Sequence, residues 1–421
     1  MTINVKRNNY LIYFSSISIF LVLFFLLSTN NFTVAVAAFT VIISTLLLFI
    51  NREKIGFDNT DKLVVICLSS YFLSNIPLSI IDSGEFRYFR GASRIALCIP
   101  VYFFFKYIVT INDFHKKPLI WGTILGSLGA FSVAFYQFFI EGRIRVDGFL
   151  FSINFGYLSC LLAVLSLTLF TYKYYRPLLI VSFSLSTLAM LMTLTRGAIL
   201  ALPLAILLMV FLDFKKIGYT KACLAISMVA IISIGLYQNS PSFKQRVDYT
   251  VSETKKVAQG DISRAKSTGG RIMLWRASLE AFKIRPLFGL TYPERESLNL
   301  ELAERGIVNN WVAGVKRGHA HSQYFEQIAT GGLIGVIALT FTLLIPFIYF
   351  FRKRKRSQAA YIATFFILAL SICCLTEVAL QQNLISTFYG YMLALLFAVT
   401  QHEINQNALH GEVNDKLEIE T

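Results

Sequence analysis

Residues 177–212 read PLLIVSFSLSTLAMLMTLTRGAILALPLAILLMVFL, and Arg196 is the one ionisable side chain among them. The apolar runs on either side of the segment 193–197 are each long enough to cross the hydrocarbon core of a bilayer as a helix. A charged residue between two such runs belongs at the membrane surface. The stretch therefore predicts two spanning helices joined by a tight corner at Thr-Leu-Thr-Arg-Gly.

The same reading, extended along the chain, gives about twelve predicted spans. They are residues 10–29, 32–50, 62–81, 92–112, 118–140, 150–171, 177–194, 196–212, 219–237, 328–351, 358–378 and 382–400. We therefore expect an all-α polytopic membrane protein. Its predicted parts are spans one to nine in residues 1–237, a large helical loop at 238–327, spans ten to twelve in 328–400 and a polar tail at 401–421.

The composition supports this class. The chain has 421 residues, of which 55% are hydrophobic and 15% charged, whereas soluble domains carry about 25% charged residues. A soluble enzyme, a disordered chain and a fibrous repeat are thereby excluded. The six cysteines include no Cys-x-x-Cys pair, so the sequence indicates neither a disulfide framework nor a zinc site.

The basic residues predict the orientation. With a cytoplasmic N-terminus, eighteen Lys and Arg fall on the inner side and six in the short outer loops. The inner set is Lys6, Arg7, Arg52, Lys54, Lys62, Lys116, Lys117, Lys173, Arg176, Lys215, Lys216, Lys221, Arg352, Lys353, Arg354, Lys355, Arg356 and Lys416. The positive-inside rule then places both termini in the cytoplasm and residues 238–327 on the outer, periplasmic side. The net charge of +15 is explained by topology, so we expect no nucleic-acid partner.

The outer loop shows helical spacing. Ile272, Trp275, Leu279 and Phe282 recur at intervals of three and four, which predicts an amphipathic helix with these residues on its apolar face. A second helix is predicted to start at Pro293. A small helical layer on the membrane bundle is the expected place for chemistry.

Arginines on the outer side oppose the topology rule and therefore call for another explanation. They are Arg87, Arg90, Arg94, Arg143, Arg145 and Arg196. Arg196 either binds a substrate anion or reaches phospholipid headgroups. Arg271 opens the first loop helix, where backbone amides and the helix dipole favour an anion; its alternative is an ordinary solvated position. Arg145 either joins them or pairs with Asp147. Headgroup binding suffices for Arg87, Arg90 and Arg94.

His319 and His321 lie where the loop re-enters the membrane, in Gly-His-Ala-His-Ser. A His-x-His pair can bind metal, but the sequence shows no third ligand beside it, and we expect no metal and no cofactor. A general base fits better, because nearby arginine charge keeps an imidazole neutral and able to accept a proton.

Three segments together resemble the O-antigen ligase family. They are the Thr-Leu-Thr-Arg196-Gly corner; Gly-Gly-Arg271-Ile-Met-Leu-Trp followed by Arg-Pro-Leu-Phe-Gly289; and His319-Ala-His321-Ser with Gly331-Gly332 downstream. Residues 294–304 also look like the corresponding stretch of enterobacterial lipid A-core:surface polymer ligases. The motifs occupy 193–197 and 269–334, and the span pattern extends the similarity over nearly the whole chain.

The resemblance implies a C-type glycosyltransferase fold and a ligase of the bacterial inner membrane. Such an enzyme moves a glycan from undecaprenyl diphosphate to a sugar hydroxyl of lipid A-core at the periplasmic face, completing lipopolysaccharide. Carried over by motif, His321, Arg196 and Arg271 are the expected catalytic residues. We expect Arg145, His319 and Arg276 to bind substrate. Ser322 stands where many relatives have Asn, which leaves the partner of the histidine open.

Alternatives remain at this stage. An O-antigen polymerase or a protein O-oligosaccharyltransferase would share the donor chemistry. A lipid-linked glycan transporter is disfavoured, because transporters place polar groups near the midplane, and Lys106 is the main charged residue deep in a predicted span.

Overall fold

A computed structural model describes residues 2–51, 56–262, 265, 267–316 and 318–419. Their regular structure is helical, and no strand occurs among them. The α-helices are α1 (Thr2–Phe24), α2 (Phe32–Asn51), α3 (Asn59–Ser74), α4 (Ile76–Ile81), α5 (Arg90–Ala96), α6 (Ile99–Val109), α7 (Lys116–Phe135), α8 (Ser152–Thr168), α9 (Arg176–Met192), α10 (Arg196–Ile217), α11 (Tyr219–Asn239), α12 (Pro241–Ala258), α13 (Thr268–Ile284), α14 (Tyr292–Glu304), α15 (Asn310–Ala313), α16 (Gln323–Leu339), α17 (Ile345–Lys353), α18 (Gln358–Cys373) and α19 (Asn383–Ile419). The expectation of an all-α chain is confirmed.

Eight helical stretches of the described residues are long and apolar enough to cross a membrane. They are Phe32–Ile50, Asn59–Ile81, Phe86–Val109, Lys116–Ile140, Ser152–Thr171, Lys173–Met192, Gln323–Lys353 and Asn383–Ala408. Four shorter apolar helices, Asn9–Phe24, Arg196–Leu212, Ile226–Asn239 and Gln358–Cys373, accompany them. Each predicted span corresponds to one of these stretches, so the polytopic membrane class is confirmed.

The structure describes only some of the basic residues on which the predicted orientation rests. Of the inner set, Arg52 and Lys54 lie outside the described residues, as do the side chains of Lys6, Arg7, Lys215, Lys216, Lys221 and Lys416. Lys106, expected to be a deep charge, pairs with Asp61 at 2.7 Å. The Asp61 carboxylate is completely buried, and the Lys106 ammonium compensates its charge.

The bundle is organised around two buried helices. About 83% of the most apolar window of Ser152–Thr171 is buried, and 94% of that of Asn383–Ala408. Helices buried on all sides need apolar or small residues all round, which is why α8 and the first part of α19 show no polar face. Instead of ending at residue 400, α19 continues through the predicted tail to Ile419.

Helices α12 to α15 form a separate layer at one end of the bundle, which we call the loop face. The layer has its own apolar core, in which residues of α13, α14 and α15 pack together with Ala329 of α16. The predicted helix from 272 to 282 is confirmed, but its predicted apolar face is wrong. Met273, Leu274, Ala277 and Ala281 are buried, while Leu279 is 45% exposed. Small alanines on the buried face let the helices approach closely.

Candidate active site

The corner between α9 and α10 is built by side chains that fix its backbone. Thr193 Oγ1 bonds to the Met190 carbonyl at 2.7 Å and receives the Thr195 amide at 3.2 Å. Leu194 has a φ of 51°, a left-handed conformation that costs energy for a residue with a Cβ. The turn is nevertheless held, and it presents Arg196 at the first position of α10.

Gly197 is required for the corner to pack. A Cβ there would lie 2.3 Å from Thr376 Oγ1 and 2.5 Å from the Tyr157 hydroxyl oxygen, so any side chain would displace both groups. Tyr157 and Thr376 are themselves hydrogen-bonded at 2.7 Å. The corner is therefore packed directly against the segment that follows α18.

Arg196 carries donors without acceptors. Its guanidinium carbon lies 4.8 Å from the ring centroid of Tyr249, and its Nε and Nη2 atoms are buried with no hydrogen-bond partner in the described part of the chain. Unsatisfied buried donors are costly unless a ligand supplies the acceptor. An anion with several oxygens would satisfy both atoms.

Three further arginines surround Arg196. The Nε atom of Arg145 donates to the Thr193 carbonyl at 3.1 Å, and that of Arg246 donates to the Leu194 carbonyl at 3.4 Å. The pKa of Arg246 is lowered to about 10 by burial and by the charges of Arg196, Arg145 and Arg271. The guanidinium carbons of Arg196 and Arg246 lie 4.8 and 5.9 Å from the ring centroid of the same residue, Tyr249, and Arg145 contacts the same corner. Arg271 acts on Arg196 and Arg246 through its charge. No carboxylate forms a salt bridge with any of the four among the residues that the structure describes.

The structure places Arg145 against the corner, with its Nε on the Thr193 carbonyl. Asp147 binds Arg143, which also contacts Glu141, so Arg145 is left to face the corner. Burial and the charge of Arg196 lower the pKa of Arg145. The side chain therefore belongs to the arginine cluster.

The start of α13 differs from the expected anion site. The amides of Ser267 and Thr268 both donate to Glu253 Oε2 at 2.9 Å. Burial raises the pKa of Glu253, but these two hydrogen bonds, a hydrogen bond with Tyr249 and the charge of Arg196 outweigh it, and the pKa lies below its usual value. A carboxylate of the chain thus occupies the helix N-terminus, and Arg271 contributes its side chain alone.

Trp275 links α13 to the histidines. Its Nε1 donates to the Ala320 carbonyl at 3.0 Å, and its ring stacks on Phe325 with centroids 4.9 Å apart. Arg271 lies one helical turn before Trp275 and so shares its face. Arg276 lies about 140° around the helix from Arg271 and is exposed, so the structure does not bring Arg276 to the cluster.

A buried ion pair anchors the histidine loop. Arg295 Nη1 lies 2.9 Å from Glu326 Oε1, and Glu326 Oε2 accepts the Ala320 amide at 2.8 Å. Burial lowers the pKa of Arg295, but the Glu326 carboxylate reverses this and raises it. The amide and carbonyl of Ala320 are both held, which fixes the two flanking histidines.

Glu377 is a residue that sequence analysis missed at this site. His321 Nδ1 lies 3.0 Å from Glu377 Oε2, and His319 Nδ1 lies 3.3 Å from Glu377 Oε1. The Glu377 side chain is 4% exposed and that of His321 is 32% exposed. A buried carboxylate thus holds Nδ1 of a half-exposed imidazole, whose Nε2 makes no hydrogen bond to the residues that the structure describes. A signal existed, since Glu377 is the one charged residue in 357–401.

Two members of this cluster, His319 and Glu377, have shifted pKa values. Burial lowers the pKa of His319 more than Glu377 raises it. Burial raises the pKa of Glu377, but the hydrogen bond from His321 and the two rings outweigh it, and the pKa is lowered. At neutral pH the carboxylate is charged and the His319 ring is neutral.

The same three side chains could hold a metal ion. One ligand atom from each of His319, His321 and Glu377 lies within 4.8 Å of the others. Two imidazoles and a carboxylate are a donor set that suits Zn²⁺. The third ligand absent from the local sequence is thus supplied by Glu377 from the segment after α18.

The fold and the site define a polytopic membrane protein with an arginine cluster beside a histidine–carboxylate group. Residues 178–340 match the family model described as O-Antigen ligase, so the resemblance to the O-antigen ligase family is confirmed. An uncharacterised protein of Haemophilus influenzae is 27% identical over 313 residues, 72% of this chain and 76% of that protein. The exopolysaccharide production protein ExoQ of Rhizobium meliloti is 33% identical over 89 residues, 21% of this chain and 20% of that protein.

Arg145 and Glu377 lie outside the matched segment, and the structure joins both to it.

Proposed function

We propose that this protein is a glycosyltransferase that moves a polysaccharide from undecaprenyl diphosphate to a sugar hydroxyl of lipid A-core. The reaction takes place at the loop face, on the periplasmic side of the bacterial inner membrane, and completes lipopolysaccharide. The observation that carries the proposal is Arg196, whose buried Nε and Nη2 donors have no acceptor among the described residues and lie within a cluster of arginines. The family match at 178–340 supports polysaccharide transfer.

The arginines act on the leaving group. Cleavage of the bond between the anomeric carbon and the diphosphate oxygen releases a lipid diphosphate with an added negative charge. Guanidiniums already in place stabilise this charge as it develops, without reorganisation. Arginine suits the task because its fork binds two phosphate oxygens at once. The departing diphosphate is a stable anion, so the site requires no general acid.

His321 acts on the acceptor. The Glu377 carboxylate accepts the Nδ1–H of the imidazole, which leaves the Nε2 lone pair for the acceptor hydroxyl. As the hydroxyl oxygen bonds to the anomeric carbon, its proton passes to Nε2, and the electron pair of the broken bond leaves with the diphosphate. Such general base catalysis contributes about 10² to 10⁴-fold. His319 positions the pair. The proposed steps use these side chains alone and require neither a metal nor a cofactor.

Attack from the side opposite the diphosphate inverts the anomeric configuration, by analogy with inverting glycosidases.

An exposed apolar surface on α10 suits the lipid tail of the donor. Leu200, Leu204, Leu207 and Phe211 are all at least 41% exposed and recur at intervals of four, three and four along α10. Helical residues at this spacing form one stripe, and it begins one turn after Arg196.

A second candidate is an O-antigen polymerase, for which the acceptor is another diphosphate-linked glycan. The name of the related exopolysaccharide production protein fits assembly of polymer as well as its transfer. A protein O-oligosaccharyltransferase would use the same donor site with a protein acceptor. The arginines and His321 serve all three reactions, so the acceptor decides among them.

Lipopolysaccharide from a strain that lacks the protein tests the proposal. A ligase deletion gives lipid A-core without polymer and accumulated lipid-linked glycan, whereas a polymerase deletion gives core that carries single repeat units. With purified protein, core lipid and donor, wild type and His402→Ala should form a laddered product, and His321→Ala should form none while remaining folded. Full activity of His321→Ala would overturn the assignment of the base.

A further inference from the structure

Arg246 lies on α12, outside every motif that pointed to the site. Its Nε donates to the Leu194 carbonyl, while Arg145 uses its Nε in the same way on the preceding carbonyl, that of Thr193. Two arginines from different segments therefore donate hydrogen bonds to successive carbonyls of the corner that carries Arg196. Because each is docked through Nε, its terminal Nη1 and Nη2 nitrogens remain available. Neither pair of terminal nitrogens makes a hydrogen bond to a described residue.

The surroundings of Arg246 are repulsive. Burial and the charges of Arg196, Arg145 and Arg271 act together against its ionisation, while Tyr249 on the same helix favours the charged form. A guanidinium placed among three others with no carboxylate in salt-bridge range destabilises the fold unless a bound anion compensates. The hydrogen bond to Leu194 and the Tyr249 ring, whose centroid lies 5.9 Å from the guanidinium carbon, dock the side chain but leave Nη1 and Nη2 without a hydrogen bond to a described residue.

We propose that Arg246 binds the diphosphate of the lipid carrier, so that α12 forms a wall of the carrier site and makes it selective for diphosphate over monophosphate. The inference rests on the proposed function. A glycan-linked diphosphate carries two negative charges, and the released lipid diphosphate carries about three near neutral pH. A single phosphate has oxygens for fewer guanidinium groups, whereas two phosphates offer acceptors for all four.

Binding of undecaprenyl diphosphate and undecaprenyl monophosphate to the purified protein in detergent tests the selectivity. Arg246→Gln should weaken diphosphate binding about 10- to 100-fold, the range for loss of charge-assisted hydrogen bonds, and monophosphate binding less than about threefold. Lys244→Gln is the matched control, since Lys244 is exposed on the same helix and faces Tyr237. It should change neither affinity.

A conservative variant separates binding from folding. Arg246→Lys keeps the charge, but the burial and the three neighbouring charges also favour loss of a proton from the substituted amine, which starts from a lower ordinary pKa than arginine. Diphosphate binding by Arg246→Lys should therefore weaken as the pH rises from about 7 to 9, while wild type stays constant. A purely structural role for Arg246 would not produce this pH dependence.

The outcomes are distinct. Wild-type protein that fails to bind undecaprenyl diphosphate would overturn the proposed function together with this inference. Wild-type binding that Arg246→Gln leaves unchanged, or an equal loss for the two lipids, would overturn the inference alone. Should Arg246→Gln unfold at lower temperature, the pH dependence of Arg246→Lys decides: a flat profile overturns the inference, and a falling one supports it.

Discussion

The Nδ1 atom of His321 lies 3.0 Å from Glu377 Oε2, although 56 residues separate them in the chain. His321 has a φ of 48°, a strained conformation for a residue with a side chain. The strain is held by neighbours, because Gln323 bonds through its amide to the carbonyls of Cys374 at 2.8 Å and Glu377 at 3.1 Å. The start of α16 is thereby fastened to the segment that carries the carboxylate.

The first prediction concerns the role of Glu377 as an orienting residue. Glu377→Gln keeps the size of the side chain but removes the charge that stabilises a protonated imidazole, so kcat should fall at least about tenfold with little change in the donor KM. Transfer kinetics of the purified protein measure both. The control is Glu280→Gln, a half-exposed carboxylate that pairs with Lys283 on α13. A variant with an unchanged kcat would show that Glu377 does not assist the base.

The second prediction concerns the fork of Arg196. Arg196→Lys preserves the positive charge but loses the planar pair of donors, and kcat/KM for the donor should fall about 10- to 100-fold. Arg143→Lys is the matched control, because Arg143 lies on the same face and is paired with Glu141 and Asp147. Initial rates at several donor concentrations give the comparison. A near-normal rate for Arg196→Lys would mean that Arg196 supplies only charge.

The sequence predicted those structural features that depend on residues close together in the chain. The spans and the loop helices follow from apolar length and helical spacing, which neighbouring residues determine, and the structure has them. The apolar face of α13 does not follow from the size of the side chains alone. There the prediction chose Trp275 and Leu279, whereas close packing against α16 selects Ala277 and Ala281.

Long-range contacts account for what was missed at the site. Arg196, Arg271 and His321 stand in recognisable motifs. Glu377 stands out only as a lone charge in 357–401, and Arg246 does not stand out at all. The role of each follows from contacts with residues far away in sequence. Arg246 shares its helix with Lys244, Lys255 and Lys256, and nothing in the spacing separates it from them. Glu253 likewise shows its role only when the amides of Ser267 and Thr268 are seen to point at it.

The third prediction concerns metal ions. The proposed steps use arginines and an imidazole, so a chelator should leave the transfer rate unchanged. Added Zn²⁺ should inhibit, because His319, His321 and Glu377 offer three ligand atoms and zinc would take the imidazole needed as a base. Rates measured with chelator, then with zinc, then with chelator again test this. Activity that disappears with chelator and returns with a divalent ion would contradict the metal-free mechanism.

The fourth prediction concerns the ion pair between Arg295 and Glu326, whose side chains are 12% and 0% exposed. Arg295→Met leaves the Glu326 carboxylate buried without its partner, which should cost about 3–5 kcal/mol and lower the midpoint of thermal unfolding in detergent. The loss of anchoring at Ala320 should also lower kcat. Arg295→Met combined with Glu326→Gln removes the unpaired charge, so the double variant should unfold at a higher temperature than Arg295→Met alone.

The control for this pair is another ion pair at the end of the same helix. Arg305 and Glu301 are 58% and 59% exposed, and solvent screens such a pair so well that Arg305→Met should cost no more than about 1 kcal/mol. A midpoint for Arg295→Met equal to that of Arg305→Met would contradict the prediction. It would mean that the hydrogen bond from Trp275 to the Ala320 carbonyl and the stacking of Trp275 on Phe325, without the buried charges, hold the histidine loop in place.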